Sequence, residues 1–125
     1  MLENEELINK VKSYNKFFNP RILSKAYDFA LKAHKNQKRE EGVPYIFHPV
    51  AVANILTELK LDSATITTGL LHDTIEDTKV TYSSVKKEFG REVADLVEGV
   101  TKISALEVHA TDISKAENFR KLILA

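Results

Sequence analysis

Apolar positions recur three and four residues apart through most of this chain, the spacing of one buried face on an α-helix. The clearest stripe is Ile22, Leu23, Ala26, Tyr27, Ala30, Leu31 and His34. Asn19-Pro20 opens it well: Asn can cap, and Pro at the first helical position gives up an N–H that would be unpaired anyway. The stretch before it, Leu2 to Phe18, is more polar and predicts an amphipathic helix packed on the rest. KNQKREEG then reads as a polar loop to Gly42, and Val43–Phe47 as an extended segment. His48-Pro49 begins another helix through about Leu59, with Val50, Val52, Ala53, Leu56 and Leu59 inward. Asp62 or Ser63 caps a helix that the pattern carries through Ile66, Leu70, Leu71 and Ile75 to about Asp77. Thr81 caps a short helix that Gly90 ends. Val93, Leu96, Val97 and Val100 mark a helix ending near Ile103, and Ser114 starts a last one bearing Phe119, Leu122 and Ile123. Alternation with a period of two is absent, and only four glycines and three prolines interrupt 125 residues. The pattern predicts an all-α single domain of six or seven helices.

Composition narrows the classes of function. Apolar residues make up 43% and charged residues 29%, an ordinary globular balance. Eighteen basic side chains cancel eighteen acidic ones, so net charge gives no long-range pull toward nucleic acid or anionic membrane. No basic stripe interleaved with aromatics appears. Without cysteine there is no disulfide framework, thiolate metal site or cysteine nucleophile. The acidic start MLENEELINK lacks the apolar core of a secretory signal. These features together read as a cytoplasmic protein.

The chemistry concentrates in GLLHDTIEDT, residues 69–78. On a continuous helix His72 and Glu76 lie one turn apart, as do Asp73 and Asp77. Such a patch beside apolar turns is costly unless it is paired or binds metal. An imidazole and a carboxylate suit a first-row divalent cation better than calcium. His48, at a chain turn before Pro49, is a candidate third ligand. Glu76 and Asp77 could orient a water, accept its proton and return one to a leaving oxygen. On spacing alone this competes with a plainer reading of His48 as a satisfied core histidine. His34 reads as a packed histidine, with lining of the site as the lesser alternative, His109 as exposed, and Tyr45-Ile46-Phe47 as core. Lys35, Lys38 and Arg39 belong to a solvated loop or meet phosphate, for which Arg is the better bidentate partner.

Three runs carry a resemblance: AHKNQKREEGVPYIFHPVAVANIL, LKLDSATITTGLLHDTIEDT and FGREVADLVEGVTKIS. Together, with His48-Pro49, the HDxxED of residues 72–77 and Gly99-Val100-Thr101-Lys102 in order, the chain resembles the N-terminal hydrolase domain of the RelA/SpoT (Rel) family. The resemblance implies an HD-type helical bundle over residues 21–125, preceded by an N-terminal helical segment, residues 1–20. It implies a Mn²⁺-dependent enzyme that removes the 3′-pyrophosphate from (p)ppGpp. His48, His72 and Asp73 then match metal ligands, Glu76 and Asp77 the catalytic acids, and Arg39 a substrate-binding arginine. Glu40-Glu41 stand where the family often has a basic and then a small residue.

The family's fourth ligand is an aspartate in a later helix, and Ala125 precedes that run. The expected bundle is therefore incomplete at its C-terminus. Phe119, Leu122, Ile123 and Leu124 would be left uncovered, each forfeiting roughly 1.5–3 kcal/mol of burial against a domain stability of only ~5–15 kcal/mol. The expectation is a marginal chain completed by a homo-oligomer or by a second chain supplying the missing half. The alternatives are a binding module or remnant without turnover, and an HD phosphohydrolase acting on another nucleotide.

Overall fold

A computed structural model describes residues 1–38 and 42–106, the last five of these as backbone only. Seven helices follow in order: α1 Asn4–Lys12, α2 Pro20–Ala33, α3 Phe47–Glu58, α4 Ser63–Leu71, α5 Thr74–Asp77, α6 Tyr82–Phe89 and α7 Arg91–Leu106. The predicted caps are in place. Asn19 accepts from the Arg21 N–H, Asp62 from Thr65 and Thr81 from Ser84. Gly90 ends α6 at φ 91°, a conformation that glycine adopts without penalty. No strand is present among the described residues; Lys38 and Pro44 form an isolated antiparallel bridge at the base of their loop.

Helix α4 is the axis of the domain. It packs against α2, α3 and α7, and Ile66, Thr67, Thr68, Gly69, Leu70 and Leu71 are all buried. Gly69 faces α3, where an added Cβ would lie 2.6 Å from Leu56 Cδ1 and would displace that methyl group. The turn between α3 and α4 is equally tight. Lys60 takes φ 56°, its N–H bonds the Thr57 carbonyl at 2.9 Å, and the Leu61 N–H bonds the Leu56 carbonyl at 3.2 Å. This is the double bond pattern that closes helices on a left-handed residue, here a lysine where glycine is usual. Helix α1 is tied in from outside: Leu7 and Val11 are fully buried, and the Tyr27 hydroxyl donates to the Leu2 carbonyl at 2.7 Å.

The structure corrects the sequence pattern in places. The first helix is shorter than Leu2–Phe18, and Phe17 is almost wholly exposed. Ile22, Leu31, Leu59 and Leu96, expected inward, are exposed, because the apolar stripes are wider than the faces the neighbouring helices cover. Phe47 is exposed as well, and only Ile46 of its trio is core. The helix expected to run from Ser63 to Asp77 is broken at His72-Asp73. Arg39, Glu40-Glu41, His109, Asp112 and the helix expected from Ser114 with Phe119, Leu122, Ile123 and Leu124 lie outside the described residues.

Neighbouring positions on α2 test the observed burial. Leu23→Ala should cost about 2–5 kcal/mol, whereas Ile22→Ala should cost no more than about 1 kcal/mol. Denaturant unfolding of the two variants measures this; equal losses would contradict the packing described.

Candidate metal centre

Helices α3 and α4 form an antiparallel pair, in which residues equally far from the turn lie side by side. His48 and His72 each stand twelve residues from Lys60. The hairpin therefore brings the start of α3 to the end of α4, and the two Nε2 atoms are 3.1 Å apart.

Side chains competing for carbonyls break the helix there, as short polar groups do near helix ends. The His72 Nδ1 reaches the Gly69 carbonyl at 2.6 Å, and the Thr74 hydroxyl donates to the Leu71 carbonyl at 2.8 Å. Asp73 sits between the helices at φ −99°, ψ −1°, and caps α5. The break turns its carboxylate toward the histidines: Asp73 Oδ2 lies 2.9 Å from His72 Nε2 and 3.3 Å from His48 Nε2.

A carbonyl only accepts, so the proton of neutral His72 belongs on Nδ1 and the lone pair on Nε2 faces His48 and Asp73. Three atoms rich in electron density thus converge on one point, an arrangement that needs a proton or a cation between them. Metal-ligating histidines commonly donate their other N–H to a backbone carbonyl in this way. Ligand atoms about 2.1 Å from a first-row cation lie about 3.0 Å apart at neighbouring octahedral positions and about 3.4 Å apart in a tetrahedron. Two of the observed separations, 2.9 and 3.1 Å, lie beside the octahedral value, and the third, 3.3 Å, lies beside the tetrahedral one. The donor set therefore fits a divalent metal bound on one face, with other positions open.

Of the predicted acids, Asp77 reaches this centre through an intermediary that the pattern assigned to the core. The Tyr45 hydroxyl lies 2.8 Å from Asp73 Oδ2 and 2.9 Å from Asp77 Oδ2. It has one proton for two carboxylates and can donate to only one at a time. Glu76 is exposed on the same short helix. The expected one-turn spacing holds for Asp73 and Asp77, whose backbones are joined by a 2.9 Å hydrogen bond. Lys35 and Lys38 are exposed, and Asp95 is engaged elsewhere, accepting from the Tyr82 hydroxyl. A tyrosine three residues before a candidate ligand, in an otherwise apolar run after Pro44, was the available signal for Tyr45.

Burial pushes the Asp73 carboxyl upward, but hydrogen bonds from His48 and His72, the His72 charge and the Tyr45 hydroxyl hold it far below the usual carboxylate range. For His72, burial opposes the charged form, yet Asp73, the Gly69 carbonyl and Asp77 outweigh it and raise the pKa. Burial first, then Asp73 and Asp77, push the Tyr45 hydroxyl well above its ordinary value.

A family model described as the HD domain matches residues 26–125. The chain belongs to the HD domain family. This HD domain is 46% identical, over its full 125 residues, to the GTP pyrophosphokinase rsh of Brucella melitensis biotype 1, of which it covers 17%. Over 103 residues (82% of the chain) it is 52% identical to the bifunctional (p)ppGpp synthase/hydrolase SpoT of Escherichia coli K12, covering 15% of it. The same figures hold for the guanosine-3′,5′-bis(diphosphate) 3′-pyrophosphohydrolase of Escherichia coli O157:H7. The chain thus spans less than a fifth of the length of these relatives, and the RelA/SpoT resemblance read from its motifs stands. No helix among the described residues is long and apolar enough to cross a membrane.

Two of these three groups, His72 and Asp73, make the metal-free fold pH-dependent. A group with a raised folded pKa stabilises below its unfolded pKa and loses that contribution as pH rises through the folded value. His72 should therefore stabilise below its ordinary 6.5 and cease to do so on the alkaline side. Asp73, with a lowered pKa, keeps its contribution throughout that range and loses it only in strong acid. Thermal melts of the chelator-treated chain from about pH 6 to about pH 9 should fall toward the alkaline end, and His72→Asn should flatten the slope. A decline of equal size in the variant would contradict this assignment.

Proposed function

We propose that this HD domain is a divalent-metal-dependent pyrophosphohydrolase that removes the 3′-pyrophosphate from (p)ppGpp, in the cytoplasm and with Mn²⁺ as its metal. The observation that carries the reading is the convergence of His48, His72 and Asp73 on one point with Asp77 joined to them through Tyr45. The 52% identity to proteins named for (p)ppGpp hydrolysis supports the substrate. Mixed imidazole and carboxylate donors accommodate manganese among the first-row divalent cations. The absence of cysteine is compatible with the compartment.

His48, His72 and Asp73 would hold the metal. A bound cation would supply Lewis acidity, offsetting pyrophosphate charge and making water more acidic. The reaction adds water across one P–O bond. Hydroxyl goes to phosphorus, and the electron pair of the broken bond stays with the ribose 3′ oxygen, which takes a proton. Asp77, fixed beside the ligand carboxylate, accepts the proton of the attacking water. Glu76, exposed on the same turn, returns one to the leaving oxygen. Arg39 binds the pyrophosphate oxygens, a task suited to its planar fork of donors.

Pyrophosphate release from ppGpp, measured with added Mn²⁺ and with chelator, tests the reading. Release should require the metal, and Glu76→Gln or Asp77→Asn should lower kcat roughly 10²–10⁴-fold. Release no faster than that of a control carrying both Glu76→Gln and Asp77→Asn would overturn it. Faster turnover of simple nucleotides than of ppGpp would overturn the substrate.

A further inference from the structure

Helix α5 is only four residues long and ends at Asp77, so its own ladder does little to fix that residue. A second support comes from the far side of the site. The Gln37 side-chain amide donates to the Asp77 backbone carbonyl. That carbonyl can only accept, which turns Gln37 Oε1 toward His34 and places the proton on His34 Nδ1, 2.5 Å away. His34 is buried, and its ring stacks on Tyr45 with centroids 4.7 Å apart. The Gln37 main chain closes the circuit: its N–H bonds the His34 carbonyl at 3.0 Å, and its carbonyl accepts from the Tyr45 N–H at 3.0 Å. Asp77 is thereby held at two points, through its carbonyl by Gln37 and through its carboxylate by Tyr45.

We infer that His34 and Gln37 are positioning residues for the hydrolysis proposed above, forming a strut that sets Asp77 and the Tyr45 hydroxyl against the metal ligands. Neither residue touches the ligand atoms, so the strut governs the placement of Asp77 and leaves metal capture to His48, His72 and Asp73. A displaced general base typically costs one to two orders of magnitude in rate without a matching loss of binding.

Gln37→Glu is the discriminating variant. It keeps an acceptor for His34 and removes the amide that holds Asp77. Gln37→Leu, which removes both ends, is the second variant. Hydrogen–deuterium exchange should accelerate in residues 73–78 of both variants, with α4 and α7 unchanged. Mn²⁺ affinity by calorimetry should stay within about three-fold of wild type, and kcat should fall roughly ten- to a hundred-fold with KM nearly constant. Unchanged exchange in 73–78, or exchange that rises across the domain with a lowered melting temperature, would overturn the inference. If the unaltered chain does not hydrolyse ppGpp, the proposed function fails, and the exchange measurement still decides the strut.

Discussion

Three lone-pair-bearing atoms, Nε2 of His48, Nε2 of His72 and Oδ2 of Asp73, face one another within 3.3 Å, and the architecture around them serves that convergence. With neither a proton nor a cation between them they would repel. Their approach is set by the packing of α3 on α4, which the left-handed turn at Lys60 closes and in which Gly69 leaves room for Leu56. The same approach buries His72 and most of Asp73, raising the cost of leaving them uncompensated. Burial on α4 and a demand for positive charge at its end are thus one feature seen from two sides.

The break at His72-Asp73 converts this packing into a site. On an unbroken helix, adjacent side chains diverge by about 100°, and His72 and Asp73 would not both face His48. His72 instead gives its Nδ1 proton to the Gly69 carbonyl, which both frays α4 and aims Nε2. One hydrogen bond therefore ends the helix, selects the tautomer and orients the ligand. The HD domain family match over residues 26–125 agrees with this geometry, since the His-Asp pair occupies the centre of the matched region.

Much of this was legible in the sequence. Asn19, Asp62 and Thr81 cap as their residue types dictate, and the three residues that the fold brings together as candidate ligands, His48, His72 and Asp73, could be picked out from residue chemistry and motif order. What escaped the reading depended on tertiary context. The helix break lies in a run with no proline, and none of its glycines stands at the break; only competition for carbonyls reveals it. Lys60 holds a position usually given to glycine, so composition carried no sign of the turn. Tyr45 looked like core because its ring packs on His34, while its hydroxyl does the polar work. Gln37 sat inside a loop read as solvated, and its role appears only once Asp77 is placed beside it.

The central claim is that two imidazoles and one carboxylate of this chain bind a single divalent ion. Pulsed electron paramagnetic resonance of the Mn²⁺-loaded chain tests it most directly, because nitrogen nuclei bonded to the ion split its signal. Couplings from two imidazole nitrogens are predicted, one vanishing in His48→Ala and the other in His72→Ala. A bound Mn²⁺ without nitrogen coupling, or couplings that survive both substitutions, would contradict the account.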